Sequence, residues 1–240
     1  MIRKLSIIIP AFNEERSIDE LLQRVVDVKL NSDIQKEILI INDCSTDGTD
    51  EVINEFILSH PKVEINYQQH ISNQGKGAAI HTGIKKSTGD YIIIQDADLE
   101  YDPEEYNLLL EPILRQKADV VFGSRFIGGK PHRILFFGHT FGNKMLTFLC
   151  NLFLNLDITD LHTCYKVFKA EILQSIQLKE KGFEFDPEVT CKIARIRDIR
   201  IYEVAISYSG RTYKEGKKIR WQHAFSAVYC LIKYGLLRIT

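Results

Sequence analysis

Apolar residues gather in five short runs: Leu5 to Ile9, Ile38 to Ile41, Val63 to Tyr67, Tyr91 to Ile94 and Val120 to Phe122. Compact runs of this kind, rich in β-branched residues, predict strands, and the Tyr91 to Ile94 run predicts one buried on both faces. The stretches between them carry apolar residues at helical spacing. Ile18, Leu21, Leu22, Val25 and Val26 fall on one face of a helix following Asn13. A second helix is expected after Asp47-Gly-Thr49 and a third near Gly75 to Lys86. A fourth should open at Asp102-Pro103-Glu104-Glu105, where proline suits a first helical turn. Strand and helix in regular alternation predict an α/β fold: a three-layer, Rossmann-like arrangement with a mostly parallel sheet flanked by helices.

Past about residue 125 the pattern changes. A Gly-rich basic loop, Phe126 to Arg133, leads into Ile134 to Leu156, which is apolar but interrupted by Gly138, His139, Gly142, Asn143 and Lys144. A membrane-spanning helix needs about 20 predominantly apolar residues, so this segment does not qualify as one. It and the aromatic, basic tail Arg220 to Arg238 fit either helices lying in a membrane surface or amphipathic helices packed on the sheet. With no repeat and no long linker, one domain over 1–240 is expected, comprising a ligand-binding half, 1–125, and a second half, 126–240, that carries the amphipathic helices. The start of the chain is too short in apolar length to read as a signal peptide.

Composition narrows the function. The 240 residues are 45% hydrophobic and 26% charged, enough for one domain with a full core. A formal net charge of -1 leaves no polyanion-binding surface at large, which argues against nucleic acid and makes any anion recognition local. Five scattered cysteines without a C-x-x-C pair suggest neither a disulfide framework nor a zinc site, and fit a reducing cytoplasm. The seven histidines show no metal-binding spacing.

Directly behind the Tyr91 to Ile94 run stand Asp96, Asp98, Glu100 and Asp102. Carboxylates cannot be buried unpaired, so these belong beyond the carboxyl end of the strand, where open α/β sheets bind ligands. Asn13-Glu14-Glu15 after the first strand and Asn42-Asp43 after the second would open on the same crevice. Asp96 and Asp98, two apart in extended chain, point the same way with Cα atoms about 7 Å apart. Such a pair suits Mg²⁺ or Mn²⁺, which one or two carboxylates hold together with phosphate oxygens. Helix capping would account for Asn13 and Asp47 equally well, and Glu184, Asp186 and Glu188 suit a helix start. A nicotinamide-binding dehydrogenase is disfavoured, because acids and not G-x-G-x-x-G follow the first strand. Asn73-Gln-Gly-Lys-Gly77 likewise lacks the Ser/Thr of a Walker loop.

The motifs Pro10-Ala-Phe-Asn-Glu14, Asn42-Asp-Cys-Ser-Thr-Asp-Gly-Thr49, Asn73-Gln-Gly-Lys-Gly77, Gln95-Asp-Ala-Asp-Leu99 and Gly123-Ser-Arg125 follow one another at successive strand ends. Together with Asp160 to Phe168, Gly182 to Glu188 and Gly210 to Lys218, they resemble family 2 glycosyltransferases of the GT-A fold, in the dolichol-phosphate mannosyltransferase-like branch. The resemblance implies that Pro10, Ala11, Asn13 and Glu14 contact the nucleoside and that Asp43 reads its base. It implies Asp96 and Asp98 as metal and diphosphate ligands, with Gln95 beside them and Lys76 in the same donor site. Arg125 and Arg133 resemble residues near the acceptor phosphate, and Arg211 with Lys217 resembles a basic segment that closes over the donor. The departure is Asn42, where many relatives carry a second acid.

The activity so implied is metal-dependent, inverting transfer of mannose or glucose from GDP-mannose or a UDP-hexose to a polyprenyl phosphate, by a cytoplasmic enzyme peripheral on the cytoplasmic face of a membrane. A homodimer or a separate membrane subunit would be its protein partners. Asp98 and Arg211 would serve the leaving group. The alternative is a soluble transferase acting on a sugar hydroxyl, in which Asp160 would be the general base. A non-catalytic nucleotide-sugar-binding module is a further alternative, and turnover separates it from an enzyme.

Overall fold

The computed structural model describes residues 2–134, 137–212, 215–216, 218 and 223–239. Its centre is a seven-stranded sheet, built from β1 (Lys4–Ala11), β2 (Gln35–Asn42), β3 (Ile65–Gln69), β4 (Tyr91–Ile94), β5 (Val120–Ser124), β6 (Lys166–Lys169) and β7 (Ile201–Ala205). The spatial order is β3-β2-β1-β4-β6-β5-β7, and β6 alone runs antiparallel to its neighbours. Ile7 of β1 pairs with Ile38 on one side and Ile93 on the other, and all three are fully buried. Burying each such side chain contributes about 1.5–3 kcal/mol, so these strands anchor the core.

The helices are α1 (Ile18–Asp27), α2 (Thr49–Ser59), α3 (Lys76–Lys86), α4 (Tyr106–Leu114), α5 (Phe137–Leu154), α6 (Ala170–Ser175), α7 (Phe185–Ile193) and α8 (His223–Cys230). Ile18, Leu21, Leu22 and Val25 form the buried face of α1. Its first residue lies five beyond Asn13, which does not cap it. Asn13 has φ 51° and instead ties two loops together, its Oδ1 accepting from Thr46 N at 2.8 Å. Asp47 does hold the start of α2, accepting from Thr49 N at 3.1 Å. Asp102 caps a single 3₁₀ turn, Pro103–Glu105, that precedes α4. Among the described residues no helix is long and apolar enough to cross a membrane.

Register places the functional ends of the strands. Ile8 stands opposite Ile94, and Gln95 N donates to Ile8 O at 2.9 Å, so Asp96 and Asp98 emerge beside the last residues of β1. Ala11 stands opposite Asn42, which brings Asp43 to the same edge. The start of α3 is pressed under residues 180–182. A Cβ on Gly77 would lie 2.5 Å from Glu180 O. Gly77→Ala is therefore expected to cost about 1–3 kcal/mol through overpacking, read as a lower chemical-denaturation midpoint at unchanged m-value.

Candidate active site

The strand ends open on a cleft of about 330 Å³. Asp96 and Asp98 line it, facing cations from two directions. Lys76, the first residue of α3, places Nζ 2.5 Å from Asp96 Oδ1. Arg211 spans the cleft mouth, 2.8 Å from Asp98 Oδ2 and 2.8 Å from Glu14 Oε2. Lys218 Nζ reaches Glu14 Oε1 at 2.6 Å and the carbonyl of Phe12.

Burial pushes the carboxyl of Asp98 up to about 8, and the charges of Asp96 and Glu100 add to the rise. Burial acts the same way on Asp96, but the ammonium of Lys76 outweighs it and holds that acid below its ordinary value. Glu14 is likewise held low against its burial by Arg211 and Lys218.

Asp43 forms the far wall. Its carboxylate accepts from Gln74 N at 3.0 Å and Gly75 N at 2.7 Å, and lies 2.7 Å from His70 Nδ1. Gly75, with φ +98°, gives the chain the turn that brings both amides onto one carboxylate.

A second pocket adjoins the cleft, with Arg125, Lys130, Arg133 and Lys144 in its lining. The guanidinium of Arg125 is clamped by Asp160 through Nε at 2.6 Å and a terminal nitrogen at 2.7 Å, and stacks over Tyr208 at 4.9 Å from the ring centroid. Arg133 donates to Gly210 O and pairs with Glu215 at 3.0 Å. The two sites are linked through Glu100, which lines the cleft. Glu100 accepts from Tyr208 Oη at 2.7 Å and from Arg211 N at 2.5 Å, so one carboxylate holds a residue of each pocket.

The sequence model of Glycosyl transferase family 2 matches residues 6–177, a span that contains Glu14, Asp43, Asp96, Asp98 and Arg125. The chain belongs to glycosyltransferase family 2. Among curated members it is 30% identical to the undecaprenyl-phosphate mannosyltransferase of Micrococcus luteus over 221 residues, 88% of this chain and 85% of that one. It is 27% identical to the dolichol-phosphate mannosyltransferase of Pyrococcus furiosus, over 90% of this chain and 60% of that protein. It is 29% identical to the low-salt glycan biosynthesis hexosyltransferase of Haloferax volcanii, over 91% of this chain and 52% of that protein. The chain thus spans about half the length of the Haloferax protein. The crystal structure of glucosyl-3-phosphoglycerate synthase from Mycobacterium tuberculosis, in complex with Mn²⁺, UDP and phosphoglyceric acid, shares the fold at TM-score 0.72 and 17% identity, covering 97% of this chain and 78% of that one. The fold is GT-A.

Within this family 2 chain, the structure gathers Pro10, Ala11, Glu14, Asp43, Lys76, Asp96, Asp98 and Arg211 around one cleft. Gln95 is fully buried behind it, where Tyr106 and Tyr165 donate to its Oε1 at 2.7 and 2.8 Å. Asn13 supports the rim without lining the cleft. Lys217 lies outside the described residues, and Lys218 is the described lysine of that segment that meets Glu14.

Asp160 does not line the cleft. It is fully buried, and its four lone-pair sites meet four donors: Nε, a terminal nitrogen and the backbone N of Arg125, and Asn143 Nδ2. Despite its burial, Arg125 holds its carboxyl below the ordinary value. It positions Arg125 and has no site left to accept a substrate proton. His70 and Lys218 were not singled out from sequence, because nothing in their local pattern announces contacts with distant segments, and Glu100 was grouped with the acids behind β4 without its partners Tyr208 and Arg211.

Proposed function

We propose that this chain transfers mannose or glucose from a nucleoside diphosphate sugar to a polyprenyl phosphate, with inversion at the anomeric carbon and with Mg²⁺ or Mn²⁺ as cofactor. The observation that carries the proposal is the link through Glu100: a cleft lined by acids and basic residues, suited to a metal-bound diphosphate, is hydrogen-bonded through Glu100 to Tyr208 of a pocket that Arg125 and Arg133 also line, suited to a second phosphate. The relatives named for undecaprenyl-phosphate and dolichol-phosphate support this choice of acceptor.

The donor set fits a divalent cation. Glu14, Asp43, Asp96, Asp98 and Glu100 supply five carboxylates against Lys76, Arg211 and Lys218 among the described lining residues. Among the described residues Arg211 Nε is buried with no hydrogen-bond partner, Glu100 Oε1 standing 3.8 Å from it, which leaves a donor for an anionic oxygen. Asp98 and Asp96 would hold the metal, which would stabilise negative charge on the departing diphosphate.

The residues of the chain do the rest. Arg211 and Lys218 face the charge that builds on the leaving phosphate. Arg125, fixed by Asp160 and Tyr208, and Arg133 orient the acceptor phosphate for in-line attack. A phosphate monoester has a second pKa of about 6, so it is an anionic nucleophile at pH 7. No general base is needed.

The second pocket opens beside an apolar face. Phe137, Phe141, Phe148 and Leu152 of α5 are exposed at 82%, 61%, 64% and 65%, and Phe225 and Tyr229 of the neighbouring α8 at 68% and 66%. Residues spaced at three and four share one side of a helix. We place this side against the lipid, with the enzyme peripheral on the cytoplasmic face. Phe141→Glu combined with Phe148→Glu should weaken co-sedimentation with anionic vesicles at least about tenfold. Unchanged binding would remove the membrane assignment.

The assay that tests the function combines purified protein, Mn²⁺ or Mg²⁺, a panel of nucleotide sugars and polyprenyl phosphate in detergent. Sugar should appear on the lipid, and chelation should stop its transfer. Nucleotide release indifferent to the lipid would reject the acceptor and leave a sugar hydroxyl as the alternative.

A further inference from the structure

We propose that Glu203 is a positioning residue for the acceptor phosphate, holding the loop at Thr159 and Asp160 that in turn fixes Arg125. The inference rests on the second pocket being the acceptor site, and deepens that reading by tracing how its arginine is aimed.

Glu203 lies in β7, where it pairs with Phe122 of β5. Its carboxylate accepts from Thr159 N through both oxygens at 2.9 Å and from Asp160 N at 3.2 Å. Two arms start from the backbone so held. The side chain of Asp160 clamps Arg125 and accepts from Asn143 Nδ2 at 2.7 Å, and Asn143 lines the pocket from α5. The hydroxyl of Thr159 meets that of Ser124, the last residue of β5, and Ser124 Oγ accepts from Phe126 N at 3.1 Å and Ile127 N at 3.2 Å. Phe126 and Ile127 line the pocket as well. One carboxylate therefore sets both the guanidinium and the start of the loop around it.

A carboxylate is a costly means of holding this loop. Burial pushes Glu203 above its ordinary value, and the charge of Asp160 adds to the rise although the loop amides oppose it. Placing like charges together breaks a local rule of stability, and such breaches concentrate at functional sites. What the charge supplies is direction, because hydrogen bonds from N–H groups to an ionised acceptor are about twice as strong as neutral ones. The planar guanidinium of Arg125 must meet a phosphate in one orientation. Asp160 can impose that orientation only while its own backbone is held.

Initial-rate kinetics of the full chain, varying the nucleotide sugar and polyprenyl phosphate in turn, test this. Glu203→Ala should raise the acceptor KM at least about tenfold, with the donor KM within about twofold of wild type. Glu203→Gln keeps an oxygen for the two amides and should bring the acceptor KM back to within about threefold of wild type. Glu203→Asp keeps the charge but falls one methylene short of the loop. It should raise the acceptor KM as alanine does, and it serves where the alanine variant does not fold. A fall in kcat or melting temperature with the acceptor KM unchanged would make Glu203 structural only, overturning the inference while leaving the acceptor pocket standing. Donor and acceptor KM rising together would overturn it in the same way. Transfer by the unaltered protein that does not respond to polyprenyl phosphate would overturn the acceptor reading, and this inference with it.

Discussion

Asp98→Asn is expected to lower kcat for sugar transfer by about 10²–10³-fold while leaving the protein folded. The substitution keeps the shape of the side chain and removes the charge that faces Arg211 and the metal position. Stability should respond in the opposite sense to activity. Burial, with Asp96 and Glu100 beside it, pushes Asp98 up to about 8 in the folded chain, against about 3.9 when unfolded. A carboxyl raised in this way favours folding while protonated, and that contribution is lost as pH rises through the interval between the two values. Asparagine has no such loss. In chelator at pH 8, the variant should melt no lower than wild type. A melting temperature well below wild type there would mean that Asp98 is chiefly structural. Undiminished transfer would reject its catalytic assignment.

Asp160→Ala should be the most damaging single change to stability outside the apolar core. It strands the guanidinium of Arg125, which is held by two side-chain contacts to that carboxylate and has only 15% of its side chain exposed. Removing one partner of a buried pair costs about 3–5 kcal/mol, which corresponds to a fall in Tm of roughly 6–20 °C for a chain of this size. Transfer should fall too, because Arg125 loses its fixed position. The surviving activity should keep the pH profile of the wild type. Loss of the acid limb alone, with Tm unchanged, would restore Asp160 as a proton acceptor.

The parts legible in the sequence are those with a local cause. β1, β2, β4 and β5 were expected because each is a dense apolar run, and the acids after β4 because carboxylates cannot follow such a run into the core. β3 begins two residues later than the apolar run Val63 to Tyr67, since residues 60–63 close a turn in which Val63 N donates to His60 O at 3.0 Å. β6 was hidden by Lys166, a residue type that signals solvent. Here it is fully buried, its charge met by Asp186 at 2.5 Å and by the carbonyls of Leu161 and Thr163. β7 is an edge strand with a half-exposed surface, so its pattern is weak. The site divides in the same way. Asp96, Asp98 and Asp43 follow from strand ends, but the partner of Glu14 is 197 positions away and that of Glu100 is 111 away. No spacing rule reaches that far. Asp160, expected as a general base only if the acceptor is a sugar hydroxyl, has contacts with Arg125 that lie 35 positions away and that local pattern does not announce.

The place of β6 has a consequence for how the chain reaches this structure. β4 and β5 follow each other in sequence but do not touch in the sheet; β6 lies between them and bonds to both. A growing chain that has made everything up to Ser124 therefore carries β4 with an open edge and β5 with no neighbour at all. Open edges of this kind pair readily with other chains. The sheet closes only when residues 166–169 arrive from the other half, so a fragment ending near residue 125 should aggregate where the whole chain folds.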